Sequence, residues 1–276
     1  MPASTLIDLH THTTASDGSM PPGALLTAAH DAGVELLALT DHDTTAAYAG
    51  LPAPPPGLTV IGGIELSAVW RRQGIHILGL AIAIDSDAMV GACATQAHAR
   101  TTRARAIADE LGRRGISDAF DGAARQAGGG VIGRPHFAQH LLEIGAVKSL
   151  EQAYRKYLGK GQAVNGTLHW PSLGTAIGWI RDAGGVAVLA HPAHYRLTRM
   201  RLNELLSDFV AAGGQALELI SGAQTPAITA LLGELARRHE LAVSVGSDFH
   251  HPQQHWNRLG RSLPSGSDLK PVWELW

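Results

Sequence analysis

At 276 residues the chain can bury one large core, or one core with a smaller lobe attached. A formal charge of −2 and 45% hydrophobic content exclude a strongly basic nucleic-acid coat, so any anionic substrate must be met by a local cluster of positive charge or by metal. The single cysteine, Cys93, excludes an intramolecular disulfide and a thiolate zinc cluster, and no apolar run reaches the roughly 20 residues that span a bilayer.

In chain order, residues 6–9 read as a strand that runs into His10-Thr11-His12. Residues i and i+2 of a strand point the same way, so these two imidazoles can serve one ion. Asp17, in the following loop, reads as a turn or cap residue ahead of Gly18. Residues 22–33 have Pro near the start and Gly at the end, which predicts a helix, and 36–40 form the next strand, giving a parallel βαβ unit. Asp41-His42-Asp43 ends that strand; either aspartate can cap a helix, while His42 repeats the strand-end placement. A proline-rich loop at 51–57 precedes strands at 58–61 and 74–80. Between them Glu65 lies among apolar residues and requires an ion pair or a metal, and its two oxygens can bridge two ions. His76, inside an apolar strand, reads equally as a core histidine or a ligand.

From 86 the texture changes. An Ala- and Arg-rich helix spans 86–115, followed by helical segments at 118–127, 136–144 and 149–158. Alternation then resumes with helix 172–183, strand 186–189, helix 200–212, strand 216–220, helix 226–239 and strand 241–245. The expectation is one discontinuous α/β domain of residues 1–85 and 169–276 interrupted by a helical insertion lobe at 86–168. His191 ends the strand at 186–189, His194 follows, and Asp248 and His250 repeat the i, i+2 spacing. Ser247, Asp248 and His250 are too close in sequence for a triad, and no G-x-S-x-G elbow exists, which argues against a serine hydrolase. His30, His98, His239 and His255 lie in ordinary helical or loop contexts. A donor set of imidazole and carboxylate without thiolate suits catalytic Mn²⁺, Zn²⁺ or Fe²⁺.

Taken together, Asp8-Leu9-His10-Thr11-His12, Thr40-Asp41-His42-Asp43, the segments carrying Glu65 and His76, Ala190-His191-Pro192 and Gly246-Ser247-Asp248-Phe249-His250 resemble the PHP (polymerase and histidinol phosphatase) family over residues 5–84 and 170–260. The resemblance implies a distorted (β/α)7 barrel with two or three divalent ions, Mn²⁺ first among the candidates, at the strand C-termini. It places His10, His12, Glu65 and Asp248 on a first ion, and Glu65, His76 and His191 on a second, with Glu65 bridging. Asp17, His42 and His250 take a third; some members carry His where this chain has Asp17. Gly133-Arg134-Pro135-His136 and Tyr157-Leu158-Gly159-Lys160-Gly161 narrow the resemblance to phosphoesterases related to nucleoside 3′,5′-bisphosphate phosphatases and short-RNA 5′-3′ exonucleases.

On this reading an activated water attacks the 3′-phosphate of a nucleoside 3′,5′-bisphosphate, with Glu65 and Asp248 in the catalytic centre and His194 assisting the departing oxygen. Arg100 and Arg103, three apart on one helix face, join Arg134, His136 and Lys160 as candidate phosphate donors. Short 5′-phosphorylated RNA and histidinol phosphate are the rival substrates, and a metal-stabilised binding module without turnover is the non-enzymatic rival. The expected setting is the cytoplasm, with a small phosphorylated nucleotide as ligand, no membrane and no obligate protein partner.

Overall fold

A computed structural model describes residues 5–159, 169–254 and 256–276. The described residues form eight strands and eight α-helices, which alternate at the two ends of the chain around a run of strands and then a run of helices. They are β1 (Leu6–Asp8), α1 (Pro22–Asp31), β2 (Val34–Ala38), β3 (Thr59–Ile61), β4 (Gly63–Trp70), β5 (Gln73–Leu80), α2 (Asp87–Arg113), α3 (Ala119–Ala127), α4 (Arg134–Glu143), α5 (Leu150–Ala153), α6 (Leu173–Asp182), β6 (Val186–Leu189), α7 (Arg199–Ala211), β7 (Ala216–Ser221), α8 (Pro226–Arg238) and β8 (Ala242–Gly246). No described helix is long and apolar enough to cross a membrane.

β1, β2 and β3 form a parallel sheet, and the other five strands form a second sheet in the order β4-β5-β6-β7-β8. Short hydrogen bonds join the two sheets at both edges. Leu9 N–H donates to Val245 O (3.1 Å) and Asp248 N–H to His10 O (2.9 Å) on one side; Glu65 N–H donates to Asp41 O (3.2 Å) and Asp43 N–H to Glu65 O (2.9 Å) on the other. Ile7, Leu9, Leu36, Leu78, Val188 and Val245 pack into one interior shared by both sheets. A larger layer of Leu, Ile, Phe and Trp lies between β4–β8 and helices α6, α7 and α8.

One departure from a regular βα alternation is decisive for the site. β5 runs antiparallel to both neighbours, with Ser67 opposite His76 and Ile77 opposite Leu189. No helix separates β4 from β5. They are joined by the two-residue turn Arg71-Arg72, whose φ values of 44° and 71° are those of a tight hairpin turn matched to strand twist. The hairpin sets Glu65 of β4 and His76 of β5 side by side. β4 itself is masked in the sequence, because Glu65 and Ser67 break the apolar run that would mark a strand buried on both faces.

The helical stretch divides between two cores within a single helix. Met89 and Ala92, near the start of α2, belong to the main core, whereas Ala104, Ile107 and Leu111 belong to a separate core with α3, α4 and α5. A single rigid helix therefore carries the lobe on the α/β body.

Candidate metal centre and phosphate pocket

The strand ends deliver their polar side chains to one space. His10 and His12 follow β1 and are fully buried, with ring centroids 5.2 Å apart. His42 lies past β2, Glu65 in β4, His76 in β5, His191 past β6, and Asp248 and His250 past β8. The loop that presents Asp17 is braced by Asp41, which accepts from Thr13 N–H (2.8 Å), Thr13 Oγ1 (2.7 Å) and Ser16 Oγ (2.6 Å). On the other side, Asp8 accepts from Ser247 N–H and Gly260 N–H, each at 2.8 Å, which fixes the turn carrying Asp248. Gly246 permits this approach, since a Cβ there would lie 2.4 Å from the His10 Cβ. His191 (φ 28°) and Asp248 (φ 53°) both hold left-handed backbone, a conformation costing ~1–3 kcal/mol each and typical of over-determined functional positions.

Glu65 is the hub. Its Oε1 lies 2.8 Å from His76 Nδ1 and 3.0 Å from His191 Nε2. Its Oε2 lies 2.8 Å from His42 Nδ1 and 3.3 Å from both His10 Nε2 and His12 Nε2. Asp248 Oδ1 stands 3.4 Å from His10 Nε2 and 3.3 Å from His12 Nε2, and Asp17 Oδ1 stands 3.3 Å from His250 Nε2. All nine residues singled out as ligands in the sequence come together. Their donor atoms fall into four overlapping groups, each small enough for one ion: His10-His12-Asp248, His10-Glu65-His191, His42-Glu65-His76 and His12-Asp17-His42-His250. His76 and His191 are thus grouped with His42 and His10 respectively, although both face the same oxygen of Glu65.

The electrostatics suit cations. Burial alone would neutralise Asp17, Glu65 and Asp248, yet the surrounding histidines hold all three well below the usual carboxylate range. Burial likewise opposes charge on His10 and His12, but Glu218, Glu65 and Asp248 keep His10 well above the ordinary histidine range, and Asp248 and Glu65 raise His12 to about 10. His76 falls to about 4, because burial outweighs its contact with Glu65. The carboxylates therefore demand more positive charge than neutral imidazoles bring. His10 Nε2, both ring nitrogens of His12, His42 Nδ1 and Glu65 Oε2 are buried with no group in hydrogen-bonding geometry among the described residues. Buried lone pairs facing one another at such distances fit a bound divalent cation.

Sequence reasoning missed Glu218, which is fully buried in β7. Its Oε1 is 3.0 Å from His10 Nδ1, and its Oε2 accepts the His191 backbone N–H at 2.6 Å. The available signal was the same as for Glu65, a carboxylate inside an apolar run.

Beside the centre, the lobe closes a pocket of about 140 Å³ lined by Asp17, His42 and His76 on one wall and by Arg100, Arg103, Arg134, Tyr154 and Trp170 on the other. Arg100 is anchored from behind, its Nε donating to Asp43 Oδ2 at 2.6 Å, while Gln96 and Ser67 N–H occupy Asp43 Oδ1. Trp170 lies under both Arg100 and Arg103, with each guanidinium carbon 5.4 Å from its ring centre. Arg103 Nε is buried with no hydrogen-bond partner among the described residues, and burial, Arg134 and Arg100 pull its pKa down to about 9. His136 does not line this pocket; its Nδ1 accepts the Gly133 N–H at 2.9 Å and caps α4. His194 stacks on His191 with ring centres 5.2 Å apart, and burial and His191 lower its pKa. Lys160 falls outside the described residues.

No model of a protein family matches the chain. The chain is 42% identical over 98% of its length, and 94% of the relative's, to the 5′-3′ exoribonuclease Rnm of Escherichia coli strain K12. It is 38% identical over 97% of its length, and 95% of the relative's, to a 3′,5′-nucleoside bisphosphate phosphatase of Chromobacterium violaceum. Among solved structures it superposes with a TM-score of 0.88 and 38% identity on an amidohydrolase from Chromobacterium violaceum holding sulfate and no metal, covering 98% of this chain and 95% of that one.

Proposed function

The chain belongs to the PHP family of metal-dependent phosphoesterases, and we propose that it hydrolyses the ester on the 3′-oxygen of a 5′-phosphorylated nucleotide, converting adenosine 3′,5′-bisphosphate to AMP and phosphate. The observation that carries this is the adjacency of two sites. A cluster of buried carboxylates and imidazoles opens directly onto a pocket holding three arginines, one of them with a buried unpartnered N–H. Two anion-binding centres so close fit a substrate with two phosphates.

The nine clustered residues, six imidazoles and three carboxylates, would hold two or three divalent ions, for which Mn²⁺, Zn²⁺ and Fe²⁺ are the candidates. When bound, such ions supply an activated water and neutralise charge on the phosphoryl oxygens. The remaining work falls to the chain. Arg103 and Arg134 grip the 5′-phosphate, and Arg100, held by Asp43, adds a preset guanidinium. This fixes the 3′-phosphate over the cluster, so that orientation is set before the reaction. Water oxygen bonds to phosphorus, the P–O3′ bond breaks, and the departing O3′ takes a proton, for which His194, stacked on the His191 ring, is the candidate. The two joined sheets fit a distorted (β/α)7 barrel with β3 outside the ring, and 86–168 acts as the specificity lobe. Cytoplasmic residence suits the unpaired Cys93.

Short 5′-phosphorylated RNA is the second reading, favoured by the name of the Escherichia coli relative. The same P–O3′ bond breaks in both cases, and only the substituent on phosphorus differs. A panel of adenosine 3′,5′-bisphosphate, 5′-AMP, 3′-AMP, histidinol phosphate and 5′-phosphorylated oligoribonucleotides, scored by product with added Mn²⁺, tests the assignment. The expected product of the bisphosphate is 5′-AMP; 3′-AMP would mean that the substrate lies the other way round.

A further inference from the structure

A second feature of the catalytic face lies away from the lobe. After β8 the chain turns through His250 and returns to β1, and this turn displays Trp256 with 62% of its surface exposed. The turn is held in place from beneath. Arg261 donates through Nη2 to Trp256 O (3.3 Å), through Nη1 to Arg258 O (2.6 Å) and Gly260 O (2.9 Å), and through Nε to Gly222 O (3.2 Å). Four carbonyls on one half-buried arginine make a braced turn, yet the indole it carries points outward. Beside it lies a groove of about 420 Å³ between the turns that follow β7 and β8, lined by Trp256, Arg258, Arg261, Gln224 and Thr229 and by no carboxylate. Arg258 is exposed, with no ion pair or hydrogen bond to its guanidinium among the described residues.

The groove lies beside the turn that carries Asp248. Asn257, between Trp256 and Arg258, donates from Nδ2 to Asp248 O at 3.0 Å, and Gly222 on the groove floor donates its N–H to Gly246 O at 3.0 Å. The arginine pocket is lined by Asp17, His42 and His76 of the cluster, whereas this groove lies against the backbone of the Asp248 turn, on the same strand-end face. A phosphate lying over the cluster thus has a cationic pocket on one flank and an aromatic and cationic groove on the other.

We infer that the groove receives the nucleotide on the far side of the scissile phosphate when the substrate is a short 5′-phosphorylated RNA, with Trp256 stacking on its base and Arg258 meeting the next phosphate. An exposed aromatic beside unpaired arginine is how single strands are held without sequence preference. The absence of carboxylates on its walls suits a polyanion. The inference rests on the phosphoesterase reading above and extends it from a mononucleotide to an oligonucleotide. In the reaction, water adds to phosphorus, the P–O3′ bond breaks, and a 5′-mononucleotide leaves the arginine pocket. The shortened RNA keeps the new 5′-phosphate and is released from the groove.

The test compares kcat/KM on adenosine 3′,5′-bisphosphate and on a 5′-phosphorylated pentaribonucleotide for the unaltered enzyme, Trp256→Ala, Trp256→Phe and Arg258→Ala. Trp256→Ala should lose about tenfold on the pentaribonucleotide and nothing on the bisphosphate, whereas Trp256→Phe should keep most of the activity because stacking survives. Arg258→Ala should weaken the pentaribonucleotide alone and flatten its salt dependence. Equal losses on both substrates, no loss on either, or an unaltered enzyme that hydrolyses only the bisphosphate would each overturn the inference. Fluorescence anisotropy of a labelled pentaribonucleotide in chelator provides a readout independent of turnover, with weaker binding expected for Trp256→Ala. If the unaltered enzyme hydrolyses neither substrate, the phosphoesterase reading fails, and the binding measurement still decides the groove.

Discussion

Glu218 Oε1 lies 3.0 Å from His10 Nδ1, and both side chains are fully buried. A carboxylate oxygen only accepts, so Nδ1 carries a hydrogen, and Nε2, facing Glu65 and Asp248, is the nitrogen that would bind a cation once its own proton is displaced. Glu218→Ala should therefore weaken metal binding about ten- to hundredfold, measured as metal content at buffered free Mn²⁺. In a His10→Ala background the same change should add little, because the imidazole it orients is gone. Additive losses would assign Glu218 to the fold alone.

Glu65 touches five histidines through two oxygens, so its loss should be felt across the cluster. Glu65→Ala is expected to leave under one ion per chain by elemental analysis. Activity on bisphosphate and aryl phosphate should fall together, by at least about a hundredfold. Retention of full metal content would remove Glu65 from the bridging position.

Arg134 lines the pocket but lies outside the ligand cluster. Arg134→Ala should leave metal content unchanged and lower kcat/KM for the bisphosphate about ten- to hundredfold, the worth of a charge-assisted hydrogen bond to phosphate. An aryl phosphate, with no second phosphate to grip, should lose little. His10→Ala should lower both. Matching losses for Arg134→Ala on the two substrates would take the pocket out of specificity.

Arg103 has a folded-state pKa of about 9, below that of a free guanidinium. The unfolded chain holds this proton more tightly than the folded one, so Arg103 costs stability at every pH below about 9, and the cost fades as pH rises above it. Arg103→Met should raise Tm by a few degrees at neutral pH while lowering bisphosphate turnover. Sulfate should stabilise the unaltered protein more than the variant, since the anion supplies the missing partner. A variant less stable than its parent, measured by thermal denaturation without anion, would contradict this account.

Much of the molecule was legible from the residues alone. Strand ends carrying His10-Thr11-His12 and Asp248-Phe249-His250 declare themselves through i, i+2 spacing, and apolar runs mark seven of the eight strands. Local rules of this kind need only neighbours in the chain. The run of helices from α2 to α5 was equally visible, because a long Ala- and Arg-rich stretch does not read as strand.

What the tertiary structure alone decided depends on residues far apart in sequence. β4 is legible only through the family motif around Glu65, because its polar residues face a buried cluster rather than solvent and break the alternation by which strands are recognised. The Arg71-Arg72 hairpin, which lacks the usual Asn-Gly signal, set β5 antiparallel and put His76 beside Glu65. The partner of His10 lies 208 residues away in Glu218, and that of Arg100 lies 57 residues away in Asp43. His136 illustrates the reverse: a motif that suggested phosphate contact closes a helix cap instead. Sequence patterns pointed to the side chains that gather at the strand ends; which of them touch was decided by long-range packing, because a buried charge is tolerated only where the fold brings it a partner.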